Sequence, residues 1–150
     1  MPSDGSSFLF QGIRRSIPVD RPRLRRFAAR LREEVADGRN FTVLVSNDSE
    51  LQRLNAEFLD HDYPTDVLSF PSLEEEDGLG EMAISADRAQ EQSAEFGYDV
   101  NTEIEILMLH GVLHLLGHDH EKDRGRMKRL EKKWRTALGL PAGLIERTKP

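Results

Sequence analysis

Four of the five histidines in this chain lie within residues 110–120, HGVLHLLGHDH, at offsets of zero, four, eight and ten. If the stretch is helical, His110 and His114 share one face, because residues four apart lie about 5–6 Å apart at Cβ. Two imidazoles at that spacing can bind one Zn²⁺ at about 2.0–2.1 Å. The stretch therefore predicts a metal site.

A third ligand requires the chain to change direction after the helix, and Gly117 stands where this turn is needed. Glycine adopts the left-handed conformation that ends helices without steric cost, so we expect the chain to fold back and bring His120 to the same ion. His118 also lies four residues after His114, but it follows Gly117, where the helical register ends, and we leave it out of the ligand set. Three neutral imidazoles leave a fourth position open for water, as in catalytic zinc sites.

The alternative is that these histidines are core or surface residues with ordinary hydrogen bonds. Against it, the surrounding run IEILMLHGVLHLLG is apolar on nearly every helical face, and burying polar rings there without partners is costly. The spacing H-x-x-x-H-x-x-G-x-x-H is also that of the metzincin proteases, which place a glutamate general base directly after the first histidine. Here that position is Gly111, which argues against a peptidase.

The histidine stretch resembles the signature H-G-x-L-H-L-x-G-x-D-H of the YbeY family, metal-dependent bacterial endoribonucleases of ribosomal RNA maturation. Three other segments resemble blocks of the family, in the same order and at suitable spacing: LN at Leu54 and Asn55, PTDVLSFP at residues 64–71, and LGEMAIS at residues 79–85. The resemblance covers roughly residues 43–140. The resemblance implies a small mixed sheet flanked by helices and the zinc ligands His110, His114 and His120.

The same resemblance implies cleavage of single-stranded RNA, in maturation of the 16S rRNA 3′ end and in quality control of ribosomes. The implied partners are ribosomal RNA of the small subunit, a small-subunit ribosomal protein and the ribosome-assembly GTPase Era. A three-histidine zinc site without the peptidase glutamate suits this chemistry, since zinc can activate a water or a phosphoryl oxygen.

One departure from the family pattern is Leu59. Family members commonly carry an arginine there, two places before the residue aligned with His61, and that side chain is considered important for handling RNA. A leucine cannot pair with a phosphate. Either another residue, such as His61, takes this role or RNA cleavage is weak in this chain.

The sequence does not identify the general acid or base. Asp119 stands beside a predicted ligand, where it either orients a water or a histidine or caps the final helix. Asp66 and Ser69 either line a groove beside the metal or make hydrogen bonds at a strand end.

Composition limits the class of protein. The 150 residues contain no cysteine, which excludes a disulfide framework and a thiolate metal site, and we expect one domain over residues 1–150. No apolar run approaches the ~20 residues needed to span a membrane. Arginines follow the first short apolar run rather than precede it, so we expect a cytoplasmic protein with no membrane partner.

Charge is segregated along the chain, although the net charge of −6 alone argues against a nucleic-acid binder. Residues 12–32 contain eight arginines and one acid, residues 121–135 contain eight lysines and arginines against three acids, and residues 33–120 contain three arginines against 21 acids. Two interpretations remain open: ordinary solvated helix faces, or a basic surface that contacts phosphates through the first-helix arginines and through Lys128, Arg129, Lys132 or Lys133. Few aromatic residues fall outside apolar positions, so base stacking is expected to contribute little.

Strands and helices that must position these residues can be read from the apolar pattern. Strands are predicted at residues 8–13, 41–45, 66–70 and 81–85. A first helix is predicted over residues 18–38, with Asp20 as its cap, Gly38 as its stop and a stripe of Leu24, Phe27, Ala28, Leu31 and Val35. A second follows Asn47 or Asp48 and carries Leu51, Leu54 and Phe58; a third runs from Ser85 or Asp87 to Gly97.

A fourth helix carries the histidines and begins near Thr102 and Glu105, which have the spacing of a capping box. Because it is apolar on nearly every face, it should lie at the centre of the fold. The last helix should place Met127, Leu130, Trp134 and Leu138 inward. These elements predict an α/β fold of the α+β type: a small mixed sheet of about four strands flanked by about five helices, with the zinc site on the central helix.

Two other functions remain open at this point. A three-histidine zinc site could hydrolyse a substrate that is not a nucleic acid. Alternatively, the zinc could merely tie the C-terminal helices together in a non-catalytic ribosome-assembly factor, an interpretation to which Leu59 gives weight.

Overall fold

A computed structural model describes residues 7–74, 78–118 and 124–147. The strands are β1 Ser7–Phe10, β2 Thr42–Ser46, β3 Val67–Pro71 and β4 Gly80–Ser85. The helices are α1 Arg21–Glu34, α2 Asp48–Leu59, α3 Ala86–Phe96, α4 Val100–Leu115, α5 Arg126–Ala137 and the single turn α6 Leu144–Arg147. The predicted fold class, a small mixed sheet flanked by helices, is confirmed.

The four strands form one sheet in the order β1-β2-β4-β3. β1 pairs parallel to β2 and β2 parallel to β4, whereas β3 pairs antiparallel to β4, with Leu68 opposite Ala83. Parallel neighbours need a crossover connection, and α1 provides it between β1 and β2. The arrangement leaves β3 at one edge of the sheet.

The two faces of the sheet are covered unequally. Side chains alternate between the faces of a strand, so Val43 and Val45 point into the main core while Leu44, between them, belongs to a smaller cluster. The main core contains buried residues of α1, α3, α4 and α5. The smaller cluster joins the other face to α2 through Leu51 and Ala83.

The histidine-bearing helix α4 is the most buried element. Of its 16 residues, 14 are buried, and only Thr102 and His114 are partly exposed. The prediction that this helix is central is therefore confirmed. Its N-terminal half is anchored to α1, because Arg23 donates hydrogen bonds to both carboxylate oxygens of Glu105, at 3.2 and 3.0 Å.

Most predicted helix ends are confirmed. Asp20, Asn47 and Ser85 each accept a hydrogen bond from the backbone N–H three residues later, and Gly97 ends α3 in the left-handed conformation. The first helix ends at Glu34, earlier than the predicted stop at Gly38.

The predicted capping box at Thr102 and Glu105 is wrong. α4 begins earlier, and its cap is Asp99, whose carboxylate accepts from Thr102 N at 2.8 Å. Thr102 and Glu105 instead bind Arg23, an interaction between residues distant in sequence. Asp99 thus supplies the capping carboxylate, and Glu105 pairs with the guanidinium of Arg23 on α1.

α5 begins after Gly125, which provides no side-chain cap, and Asp119, whose capping role the sequence left open, lies outside the described residues. Phe58 is 60% exposed although it follows Leu51 and Leu54 along α2, and its ring lies edge-on to that of Phe70, at 5.9 Å between centroids. None of the helices within residues 7–74, 78–118 and 124–147 is long and apolar enough to cross a membrane.

The cap of α4 gives a stability prediction. Asp99→Ala should lower the free energy of unfolding by about 1 kcal/mol, since the orphan N–H groups of the first turn lose their acceptor. Asp99→Asn, which retains a capping oxygen, should cost less. Both are measured by urea denaturation at neutral pH.

The same residue predicts a pH dependence. The hydrogen bond from Thr102 N, together with the charge of Arg23, lowers the pKa of Asp99 below its ordinary value. A lowered pKa in the folded state stabilises the protein at pH values above about 3.9, and this contribution is lost as the pH falls through the folded-state pKa. The stability difference between the wild type and Asp99→Asn should therefore shrink below about pH 4. A constant difference across that range would contradict the assignment.

Candidate metal centre

His110 and His114 lie in the last turns of α4 and meet there. Their Nε2 atoms are 3.1 Å apart, and the ring planes are inclined by 70°. The i, i+4 spacing on a helix places both rings on one face, as the sequence predicts. His110 is only 6% exposed, whereas His114 is partly exposed at the open end of the helix.

The second ring nitrogen of His110 contacts a carboxylate on a different helix. Nδ1 lies 2.7 Å from Oε2 of Glu131 on α5. Glu131 is completely buried, and its Oε1 accepts a hydrogen bond from the backbone N–H of Ile145 at 2.7 Å. Sequence reasoning missed Glu131, although a signal existed, since it lies four residues after Met127 on the inward face of an otherwise basic helix.

These two imidazoles fit a zinc ion. Two nitrogens that each lie about 2.0–2.1 Å from a tetrahedral ion are separated by about 3.3 Å, close to the 3.1 Å between His110 Nε2 and His114 Nε2. The same separation suits a hydrogen bond between the rings when no ion is bound. The structure thus brings two of the three predicted ligands together.

The turn after α4 is confirmed. Gly117 has φ +97°, and His118 N donates to Leu113 O at 3.1 Å, closing the helix as a left-handed C-cap does. His120 and Asp119 lie outside the described residues, so the third ligand stays a prediction. Within residues 7–74, 78–118 and 124–147, no group of three His, Cys, Asp or Glu side chains could hold a metal ion.

Gly111, the position of the glutamate in metzincins, faces the sheet. A Cβ at this position would lie 2.8 Å from Met82 Sδ and 3.4 Å from Ser69 Oγ, so α4 approaches β3 and β4 closely at this point. A glutamate here would point into the buried side of the helix and not toward the histidines. The packing of α4 therefore adds a structural reason against a peptidase.

The two polar residues of the β3 segment have different surroundings. Asp66 accepts hydrogen bonds from Val67 N at 2.8 Å and from Gln92 Nε2 at 3.1 Å, which is the strand-end role that the sequence left open. Ser69 Oγ approaches Gly111 O at 3.4 Å, so β3 contacts α4 one residue after His110. Ser69 is the one of these two that lies against the histidine-bearing turn.

Some arginines of α1 have structural roles. Arg23 pairs with Glu105 and Asp99, and its hydrogen bond to Glu105 raises its pKa above the ordinary value. Arg30 pairs with Glu34 and also donates to Ala137 O at 3.3 Å, so the ends of α1 and α5 meet.

Other arginines of α1 remain available. Among the residues that the structure describes, no carboxylate pairs with the exposed side chains of Arg21, Arg25 and Arg26. Arg21 and Arg25 lie over the Phe10 ring, at 4.9 and 5.2 Å from its centroid. The basic surface is therefore smaller than the sequence count suggests.

Leu59 lies among exposed aromatic side chains. Leu59 ends α2 and is 40% exposed, and nearby Phe58 and Tyr63 are 60% and 53% exposed. The His61 ring lies 5.5 Å from that of Tyr63. The expectation that aromatic surfaces are scarce is thus wrong at this place, where exposed rings could stack on bases.

Comparisons with known proteins find similar sequences and a similar fold. The sequence profile described as Endoribonuclease YbeY matches residues 17–139. A protein named Endoribonuclease YbeY from Solibacter usitatus is 59% identical over 144 residues, 96% of this chain and 95% of the relative. Its namesake from Koribacter versatilis is 47% identical over 122 residues, 81% of this chain and 80% of the relative. The solution structure of TM1509 from Thermotoga maritima has a TM-score of 0.59 and 28% identity, covering 90% of this chain and 93% of that one.

The role of the turn after α4 can be tested with a matched pair of glycine variants. Gly117 and Gly97 have φ values of +97° and +83°, and nothing lies within 4 Å of an added Cβ at either position. Gly117→Ala and Gly97→Ala should each cost about 1–2 kcal/mol of stability, since a left-handed conformation strains an L-residue. Only Gly117→Ala should also weaken zinc binding, because only that turn leads to the predicted third ligand, His120.

Thermal unfolding gives the stabilities, and competition with a chromophoric chelator gives the zinc affinities. Equal zinc affinities in Gly117→Ala and Gly97→Ala would contradict a role for the turn in the metal site.

Proposed function

The chain belongs to the YbeY family of endoribonucleases, and we propose that it cleaves single-stranded RNA with one zinc ion held by His110, His114 and His120. The observation that carries the proposal is the approach of His110 Nε2 to His114 Nε2, at 3.1 Å, on the last turns of a buried helix. Bound zinc would supply Lewis-acid activation of a phosphoryl oxygen and would lower the pKa of a water.

The protein contributes orientation and access. His110 is buried and held by Glu131 Oε2 at 2.7 Å, so its ring has little freedom. His114 is partly exposed, so we expect solvent and substrate to reach the site from the side of this second ring. Behind the histidines, the packing of Gly111 against Met82 and Ser69 excludes water. A substrate phosphate is thus expected to approach over His114.

RNA binding is proposed to rest on phosphate contacts from α1 and α5. Arg25 and Arg26 are exposed on α1, and exposed cations on α5 include Arg129, Lys132 and Lys133. The contact between Arg30 Nη2 and Ala137 O joins the two helices, so their cations can form one surface. α5 also carries the buried Glu131, which contacts His110, so the helix that bears these cations packs against the histidine-bearing helix.

The cellular role follows from the family. We propose that the substrate is ribosomal RNA of the small subunit, that cleavage serves maturation of the 16S rRNA 3′ end and ribosome quality control, and that the protein acts in the cytoplasm. A small-subunit ribosomal protein and the GTPase Era are the proposed partners. All of these rest on the resemblance of the chain to its relatives.

One observation favours a second candidate function. Leu59 stands exposed where the family commonly has an arginine, so a phosphate contact is missing there. A non-catalytic assembly factor in which zinc ties the C-terminal helices together would not need that contact. The experiment that follows separates the two.

Purified protein incubated with single-stranded RNA should cleave it, and both chelation and His114→Ala should abolish cleavage, because each removes the ion. His61→Ala, a histidine on the loop after α2, serves as a control for simple loss of an imidazole and should retain zinc. Gel electrophoresis of end-labelled RNA follows the reaction. Cleavage unchanged both by the chelator and in His114→Ala would indicate a contaminating nuclease. Chelator-sensitive cleavage that persists in His114→Ala would contradict the assigned ligand, and unfolding on chelation without any cleavage would favour the structural role.

Salt dependence tests the basic surface. The affinity for single-stranded RNA should fall as salt rises, with log K against log[salt] flattening by about 0.7 for each phosphate contact removed. Arg25→Gln combined with Arg26→Gln should thus flatten the slope by about 1.4. Arg30→Gln, whose cation is already paired with Glu34, should leave the slope unchanged. Fluorescence anisotropy measures the affinities, and identical slopes in all three proteins would refute the assigned surface.

A further inference from the structure

Glu131 is a completely buried carboxylate in a helix whose other charged residues mostly face solvent. Taking a carboxylate out of water is costly unless hydrogen bonds satisfy its oxygens. Both oxygens have a partner: Oε2 lies 2.7 Å from His110 Nδ1, and Oε1 accepts from Ile145 N at 2.7 Å. The placement of this group is therefore specified from two sides.

The hydrogen bond to Glu131 decides which nitrogen of His110 carries the proton. Because the carboxylate accepts, a neutral His110 places its proton on Nδ1. Nε2, which faces His114, is then unprotonated and directs its lone pair to the place where the two rings converge. Only this tautomer can bind an ion through Nε2.

We propose that Glu131 is a positioning residue of the metal site, which fixes the Nδ1–H tautomer and the ring orientation of His110 and so presents Nε2 as a ligand. The inference rests on the proposed function, and goes beyond it by assigning a residue outside the histidine stretch to zinc affinity. Carboxylate partners of this kind orient ligand histidines and change metal affinity by about 10–100-fold when removed.

The C-terminal segment holds the carboxylate in place. Ile145 N–H fixes Oε1, and Gly143 lies so close that a Cβ there would overlap Oε1 and stand 3.0 Å from Cδ of Glu131. Glu131 therefore cannot rotate without moving the chain at residues 143–145. A chain of two hydrogen bonds thus extends from the start of α6, through α5, to the first histidine of α4.

Glu131→Gln is the direct test, since it preserves size and removes one acceptor. Ile145 N–H should retain the amide oxygen at the Oε1 position, so the amide N–H₂ group then faces His110 Nδ1. That nitrogen must accept, the proton moves to Nε2, and zinc affinity should fall by about 10–100-fold. Glu105→Gln is the matched control. It alters another buried carboxylate, which lies in the N-terminal half of α4 and pairs with Arg23 of α1. This variant should be less stable than the wild type but should bind zinc with unchanged affinity.

Two readouts are needed. Long-range ¹H–¹⁵N NMR spectra of the zinc-free proteins at about pH 8, above the ordinary histidine pKa of about 6.5, report the tautomer of His110. Competition with a chromophoric chelator reports the zinc affinity. We expect Nδ1–H in the wild type and in Glu105→Gln, and Nε2–H with weakened zinc binding in Glu131→Gln.

A folded Glu131→Gln variant with the wild-type tautomer or the wild-type zinc affinity would overturn the proposal. If Glu131→Gln does not fold, Gly143→Ala provides a second test, because the added methyl group should push the Glu131 carboxylate out of place without removing it. Gly143→Ala should also weaken zinc binding, and an unchanged zinc affinity in the folded variant would likewise overturn the proposal. A wild-type protein that binds no zinc would contradict the proposed function instead, and the tautomer comparison would still decide the role of Glu131.

Discussion

A buried imidazole needs a hydrogen-bond partner, and this requirement organises the C-terminal half of the protein. His110 stands on a helix that is buried on almost every face, where an unpaired polar ring would cost several kcal/mol, roughly 2–7 by transfer measurements. Glu131, on another helix, supplies the partner of Nδ1, while His114 on α4 itself lies against Nε2. This contact joins α5 to α4, and the hydrogen bond from Ile145 N joins residues 143–145 to α5.

The rest of the fold holds α4 rigidly while keeping one end open. Near the N-terminus of the helix, Arg23 of α1 binds Glu105 and Asp99. In the last turns, Gly111 allows the helix to approach Met82 and Ser69 of the sheet. His114, beyond these contacts, is partly exposed. A site of this kind combines fixed imidazoles with access for a large substrate, as an RNA-cleaving enzyme requires.

Local signals allowed much of this to be predicted. Residues 100–118 contain the apolar run of α4, its two histidines four residues apart and the glycine turn. The caps Asp20, Asn47 and Ser85 each lie next to the helix that they cap. The misses involve partners distant in sequence. The local pattern predicts a cap at Glu105 because its partner, Arg23, lies 82 residues away, and it does not single out Glu131 because the contact with His110 spans 21 residues. Pairing between helices cannot be read from the periodicity of either helix alone.

The central claim is that three imidazoles bind one zinc ion and leave a position for solvent. X-ray absorption at the zinc edge of the purified protein tests it most directly, because the spectrum counts the atoms around the ion and identifies imidazole. The account predicts stoichiometric zinc with three imidazole nitrogens and one further light atom from solvent at about 2.0–2.1 Å. Absence of bound zinc, or a shell with fewer than three imidazoles or with a fourth ligand from the protein, would contradict it.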